Sequence, residues 1–437
     1  MTFQYLAESA APNGVLTGLE VLLLLLVLFL SFMIWALTRH VECRFSGEPP
    51  EKITDQLPAI AGTTHSELIE GNKVELLQDE EFFNALCSLI ENARDTIHIE
   101  TFLWKDGRVS DRVMEALEAS LKRNVRVRIL IDARGSKKFS SQHRERLRRA
   151  GAELKSFHRM KLRNLGRFNI RDHRKIVVID GSAALIGGHC IHDGWTEKGE
   201  EGNPGARGYR DISGLITGPV VARIQSAFFE NWQEVTGEVF TDDTTFPKLE
   251  PEGNIPAHLA YISADGCPSS VQTLHYLAIG FAKKTIRIQN PYFLPDPRGI
   301  EALAKAVDRG VDVRIMTPAV KASDTPYVQR AGQVLYGDLL RAGVRIFEYQ
   351  PTLLHQKVIT IDGEWCGFGS SNFDDRSFAI NDEATLGISD PATTAILNET
   401  FEKDARDCEE LTLETWKERA WPEQLFHRVH YLFREQL

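Results

Sequence analysis

No two of the six cysteines stand at C-x-x-C spacing, and none joins a Cys/His ligand pattern. A structural zinc site and a disulfide framework are therefore not indicated, and Cys43, Cys87, Cys190, Cys267, Cys366 and Cys408 read as free thiols of a reducing compartment. Polar low-complexity tracts are missing too. Hydrophobic residues at 43% against charged residues at 26% leave a globular chain, not a disordered or collagen-like one. Positive charge is in deficit: the formal net charge is -10, so the molecule as a whole repels polyanions and any anion-binding role must be local. No lysine or arginine precedes Arg39, which argues against a cleaved signal peptide, whose start is basic.

One long apolar run is present. Val21 to Leu37 reads VLLLLLVLFLSFMIWAL without a charge, and Val15 to Leu19 extends it, with Glu20 inside. Roughly 20 apolar residues cross a bilayer, so one N-terminal transmembrane helix is expected. Arg39 and Arg44 follow the run and Glu8 precedes it, which sets the N-terminus outside and the remainder in the cytoplasm. The expected division is an anchor with its flanks at 1–45, a tether at 46–70, a first lobe at 71–240, a linker at 241–254, a second lobe at 255–404 and an amphipathic helical tail at 405–437.

The lobes are inferred from an internal duplication. ARDTIHIETF at Ala93 to Phe102 and AKKTIRIQNPYF at Ala282 to Phe293 both alternate apolar residues at the period of a strand. A helix follows each, with Val113, Leu117 and Leu121 as the apolar stripe of one and Ile300, Leu303 and Val307 of the other. Second strands come next, VRVRILI from Val125 and VDVRIM from Val311, then helix ends at Gly151 and Gly343 that suit left-handed caps. Strand–helix–strand–helix order, given twice, predicts an α/β protein of two similar lobes, each a mixed sheet flanked by helices.

Each lobe then carries the same motif. His173-Arg-Lys175 runs to Asp180-Gly181, and His355-Gln-Lys357 runs to Asp362-Gly363, each histidine, lysine and aspartate displaced by 182 positions. The candidate catalytic set is His173, Lys175, Asp180, His355, Lys357 and Asp362. Alternation along a strand puts each histidine and its lysine on one face. Two such faces can surround one phosphate: lysines on its oxygens, one histidine attacking phosphorus, the other moving the proton of the leaving and entering alcohols. The aspartates have the opposite parity and sit at strand ends, where they brace the turn.

These paired H-x-K-x4-D motifs resemble those of the phospholipase D superfamily, and within it the bacterial cardiolipin synthases. IHIETFLW at Ile97, GYRDISGLITGP at Gly208, IQNPYFLPD at Ile288 and GSSNFDDRSFAINDE at Gly369 extend the resemblance from about Asn72 to near Asp404. It implies a phosphohistidine intermediate, no metal and no cofactor, an active site between the lobes, and conversion of two phosphatidylglycerols to cardiolipin and glycerol in the bacterial inner membrane. It further implies Asp211 and Glu383 as the acids that orient the histidines, and Ser370 and Asn372 as phosphate-binding residues. The chain departs from the pattern in the first lobe, where Gly188 replaces the serine and Cys190 the asparagine. Many relatives also carry two N-terminal spans where this chain shows one.

From Arg134 to Lys175 stand fifteen lysines and arginines against three acids, a basic stretch suited to anionic headgroups or to nucleic-acid phosphates. Its only aromatics are Phe139, Phe157 and Phe168, too few for base stacking, so no nucleic-acid partner is expected. The acceptor stays open at this point: phosphatidylglycerol, water, another alcohol or phosphatidylethanolamine all fit the motifs, a nuclease of the same superfamily fits less well, and no oligomeric state is implied.

Overall fold

The structure, a computed structural model, describes residues 18–37, 50–157, 169–199, 207–262 and 269–417. The chain divides into two units, 1–43 and 44–437. The first is described as a single helix, α1 (Gly18–Leu37). Its side chains are described to Phe32, and the apolar ones are 40–67% exposed. Among residues described with their side chains, no helix is long and apolar enough to cross a membrane. Val15 to Thr17 of the expected span lie outside the described residues, as do Glu8, Arg39 and Arg44, on which the expected orientation depends.

The second unit is built on one sheet of 15 strands, in which the duplication is visible as a repeated order. The first half supplies β1 (Ile69–Gln78), β2 (Thr96–Thr101), β3 (Arg126–Asp132), β4 (Glu153–Phe157), β5 (Lys175–Ile179), β6 (Ala183–Gly187) and β7 (Ile212–Thr217). The second supplies β8 (Ile255–Ile262), β9 (Thr285–Gln289), β11 (Asp312–Pro318), β12 (Arg345–Tyr349), β13 (Val358–Ile361), β14 (Trp365–Gly369) and β16 (Glu383–Ile388), while β10 (Phe293–Leu294) and β15 (Phe373–Asp374) form a separate short pair. Outward from the centre one arm runs β1-β7-β6-β5-β2-β3-β4 and the other β8-β16-β14-β13-β9-β11-β12. The arms meet where β1 pairs antiparallel with β8, with a register shift between Ile69 and Asn72. Gly71 sits in that irregularity at φ +87°, and a Cβ there would lie 2.9 Å from Pro251 Cβ. Two like halves are thus present as expected, but their sheets join edge to edge. Each central strand covers the backbone groups the other would leave unpaired.

The motif strands are buried on both faces. Val177 and Ile179 of β5 enter a core confined to the first half, with Ile97, Val113 and Leu117. Ile176 and Val178 enter a second core with Phe228 and Trp232 that continues into Phe368, Leu386 and Ile388 of the other half. The halves therefore share apolar interior as well as a sheet. The helices follow their sequence signals. Gly151 and Gly343 take the expected left-handed conformation at φ +110° and +87°. The helix Pro297–Asp308 starts on Asp296, whose side chain accepts from Arg298 N and Gly299 N.

Two flanking segments differ from expectation. Within the expected tether, Ile53–Gln56 and Leu57–Thr63 are helical, and Ile53, Leu57, Ile60 and Ala61 are buried. Their spacing of three and four residues is a helical stripe too short to stand out among prolines and acids. At the other end, the expected helical tail begins with a strand, β17 (Cys408–Leu411), antiparallel to β12. The open edge of β12 and the Arg345–Glu410 ion pair at 2.6 Å favour it. Trp416 then packs at 5.7 Å from the Tyr336 ring, while Trp421, Leu425, Val429 and Phe433 lie outside the described residues. The described cysteines, Cys87, Cys190, Cys366 and Cys408, are free.

Candidate active site

The aspartates of the two motifs are structural. Asp180 and Gly181 both have positive φ (50° and 61°), as do Asp362 and Gly363 (56° and 72°), and they are the central residues of turns closed by Ser182 N on Ile179 O and by Glu364 N on Ile361 O, each at 3.0 Å. Each carboxylate then accepts three backbone N–H groups at the start of a neighbouring strand. Arg94, Asp95 and Thr96 donate to Asp180 at 2.9, 2.7 and 2.9 Å. Lys283, Lys284 and Thr285 donate to Asp362 at 2.9, 2.7 and 2.8 Å. The aspartates close β5–β6 and β13–β14 and lock β2 and β9 beside them, far from the histidine end of the strand.

The histidines lie just ahead of β5 and β13, in lead-in segments that cross to the opposite half. Asp172 bridges to Asp382 and Leu354 bridges to Arg210. His173 N donates to Asp382 O at 3.0 Å, and His355 N to Arg210 O at 2.7 Å. The next residue after each acceptor is an acid. Glu383 Oε1 lies 2.9 Å from His173 Nδ1, and Asp211 Oδ2 lies 2.7 Å from His355 Nδ1. Both acids named from the sequence are therefore brought to histidines, but crosswise: the acid of each half holds the histidine of the other. Nδ1 being engaged, Nε2 of each ring is the atom left for chemistry.

The support around the two acids is unequal. Ser370 Oγ donates to Glu383 Oε2 and accepts from Ala384 N, so this serine, expected on phosphate, braces the acid. On the other side Trp195 Nε1 donates to Asp211 Oδ2 at 2.8 Å, and Ile212 N to Oδ1 at 2.9 Å. Gly188, the counterpart of Ser370, could not be serine here: a Cβ would lie 2.2 Å from Asp211 Oδ1. The shorter acid and the glycine are one change, with tryptophan supplying the donor that serine supplies opposite. Nothing in the spacing of Trp195 marks it for this role. Phe102 meets His173 edge to face at 4.9 Å, as Trp195 meets His355 at 5.2 Å.

A cavity of about 330 Å³ opens over this pair. His173, Lys175 and His355 line it, with Asn372 from the second half and Cys190 at the matching position of the first. Asn372 is thus where the sequence reading expects a phosphate ligand. Lys357 Nζ stands 2.9 Å from His355 Nε2. Burial dominates the electrostatics. It holds His173 down to about 4, against the pull of Glu383 and with the push of Lys175. It holds His355 well below its ordinary value, with Lys357 and Lys175 adding to the effect. Burial also brings Lys357 down to about 7, partly opposed by Asp211. Glu383 is held below the usual carboxylate range, because His173 and Lys175 outweigh its desolvation. Two neutral imidazoles beside cationic lysine suit an anionic substrate whose arrival raises the affinity of the rings for protons.

A family model described as "Cardiolipin synthase, PLD-like domain" matches residues 86–203 and 277–405. Cardiolipin synthase A of Pseudomonas entomophila is 34% identical over 364 residues, which cover 83% of this chain and 74% of that one. The cardiolipin synthase of Geobacillus kaustophilus is 33% identical over 360 residues, 82% of this chain and 70% of that one. Among solved structures, a phosphatidylserine synthase from Haemophilus influenzae superposes with a TM-score of 0.65 at 16% identity, over 86% of this chain and 98% of that one, a likeness of fold.

Proposed function

The chain belongs to the phospholipase D-like family of cardiolipin synthases, and we infer from that membership and from the crosswise histidine–acid pairs that it is a phosphatidyltransferase joining two phosphatidylglycerols into cardiolipin with release of glycerol. The observation that carries the mechanism is the pair of imidazoles in one cavity, each fixed through Nδ1. Nε2 of one ring attacks phosphorus, forming P–N as the P–O bond to glycerol breaks, and the other ring, protonated, gives its proton to the leaving oxygen. The second phosphatidylglycerol then enters. Its hydroxyl yields a proton to that same ring, a new P–O bond forms, and P–N breaks. Lysine charge offsets the negative charge on the phosphoryl oxygens in both steps. One phosphodiester is exchanged for another, so no external energy source is required.

The lipid substrate places the reaction at a membrane, and α1 supports attachment there. Its apolar side chains up to Phe32, 40–67% exposed, supply the surface for such attachment. Attachment to the bacterial inner membrane with the second unit in the cytoplasm is the arrangement we propose. Protein in phosphatidylglycerol–detergent micelles containing EDTA tests the activity. Cardiolipin and glycerol in equal amounts are expected from the native protein, and neither from His173→Ala or His355→Ala. Phosphatidic acid as sole product would replace this reading with a lipase using water as acceptor.

A further inference from the structure

The two motifs repeat, yet the cavity between them is unequal in charge. By the 182-residue offset of the motifs, Arg171 corresponds to Leu353 and Arg376 to Gly194. Both arginines line the cavity, and so does Leu353. One side therefore carries guanidinium groups where the equivalent positions of the other carry none.

The arginines come from different halves and are delivered by the same backbone clasp that brings Glu383 to His173. Asp382 N donates to Arg171 O at 2.9 Å, and Asn381 N to Arg376 O at 2.9 Å. Asn169 fixes one edge of Arg376, through its side-chain oxygen at 3.2 Å and its backbone oxygen at 2.8 Å. Arg134 adds positive charge to both. Two carboxyls, Asp132 beside both arginines and Asp374 beside Arg376, stand against these three guanidinium groups. Asp132 is engaged by the backbone N–H groups of Arg134 and Gly135 at 2.8 Å and of Asp172 at 3.3 Å. Asp374 accepts from Ser377 N at 2.7 Å, and burial raises it to about 7.

We propose that Arg171 and Arg376 form a second phosphate subsite, distinct from the histidine–lysine pairs, which holds the phosphodiester of the lipid whose hydroxyl accepts the transferred group. This rests on the transferase reading above and adds to it a basis for acceptor choice. A phosphatidyl acceptor carries its own phosphodiester one glycerol arm away from the attacking oxygen, whereas water and simple alcohols carry none. Guanidinium forks bind phosphate oxygens in pairs. Anchoring that phosphate holds the hydroxyl beside the phosphohistidine and so offsets the much higher concentration of water. The arginines take no part in bond making; they select and position the acceptor.

Arg171→Gln, Arg376→Gln and Arg376→Lys in the full-length protein test this. Two reactions are compared in phosphatidylglycerol micelles: cardiolipin formation, and exchange of the headgroup with labelled free glycerol, an acceptor with no phosphate. In both glutamine variants cardiolipin formation is expected to fall at least tenfold relative to exchange, with phosphatidic acid rising, and Arg376→Lys is expected to recover part of the loss. A parallel fall of both reactions, or no change in their ratio, would overturn the subsite. Inhibitor binding separates this outcome from failure of the functional reading. Native protein is expected to bind bis(glycerophospho)glycerol, with two phosphates, at least tenfold tighter than glycerophosphoglycerol, and each glutamine variant to lose that preference. If native protein forms no cardiolipin yet shows the arginine-dependent preference, the subsite stands and the transferase reading falls. Equal binding of the two compounds by native protein would overturn the subsite.

Discussion

Glu383 stands 210 positions from the histidine it holds, and Asp211 stands 144 from its own. Either acid fixes a tautomer and stabilises the ring when charged, so its loss should act on turnover rather than on substrate affinity. Glu383→Gln and Asp211→Asn are each expected to lower kcat by on the order of 10² to 10⁴ with little change in KM. A loss below threefold in steady-state assays would show the pairing to be incidental. Gly188→Ser is expected to be nearly as damaging as Asp211→Asn, because the new side chain meets the carboxylate, while Gly188→Ser combined with Asp211→Glu should recover activity by recreating the Ser370–Glu383 arrangement. Lys357 gives a pH signature. Its folded pKa of about 7 lies below its ordinary value, so the ammonium is present below that pH and lost above it. Anion binding should therefore weaken as pH rises from 6 to 8. Sulfate keeps its charge over that range, and its stabilising effect in thermal unfolding should shrink accordingly. Lys357→Arg should flatten the dependence, and an equally steep one in that variant would remove Lys357 as its source. All six motif residues were legible in the sequence, because a fixed offset between identical short patterns is a local signal. The roles of Arg171 and Arg376 were not, because each depends on contact across the junction, and that of Trp195 was not, because its bond to Asp211 exists only in the folded first half.

At the scale of elements, the motif aspartates show one residue doing two structural tasks. A single carboxylate ends a hairpin and satisfies three N–H groups of the next strand over. Asp180→Ala and Asp362→Ala each leave those donors without their acceptor and place alanine at positive φ. Each should cost roughly 1–3 kcal/mol, seen as a lower unfolding midpoint, with similar values at the two sites because the contacts repeat. A full loss of activity at native stability would mean instead that these aspartates act in the chemistry. The strands and the glycine caps could be read directly, since period-two alternation and a glycine after a helical run are properties of adjacent residues. The helix at Leu57–Thr63 and the strand β17 could not. The first has only seven residues, and the second is decided by an open edge on β12, which is a tertiary circumstance.

At the scale of the molecule, the halves share a sheet, a core and both histidine–acid pairs. Residues 50–254 or 255–417 produced alone should be insoluble or aggregated, since each exposes a central strand edge and half of the shared core. Produced together, they should associate and regain some activity, measurable as cardiolipin formed by the co-purified halves. Activity from either half alone would contradict the crosswise site. The duplication itself was plain in the sequence. The joining of the sheets was not, because β1 and β8 pair over only a short, irregular register that carries no pattern of its own.

The crossing of acids between halves also bears on inheritance. A protein assembled by duplication usually keeps a spare copy of each part, so that damage to one copy is buffered by the other. Here the exchange of partners removes that redundancy. A harmful change at Asp211 is felt by His355, and one at Glu383 by His173, so neither repeat can drift, be deleted or be replaced without the other. Selection would then act on the two repeats as one locus, and a compensating change for a lesion in the first should be sought in the second.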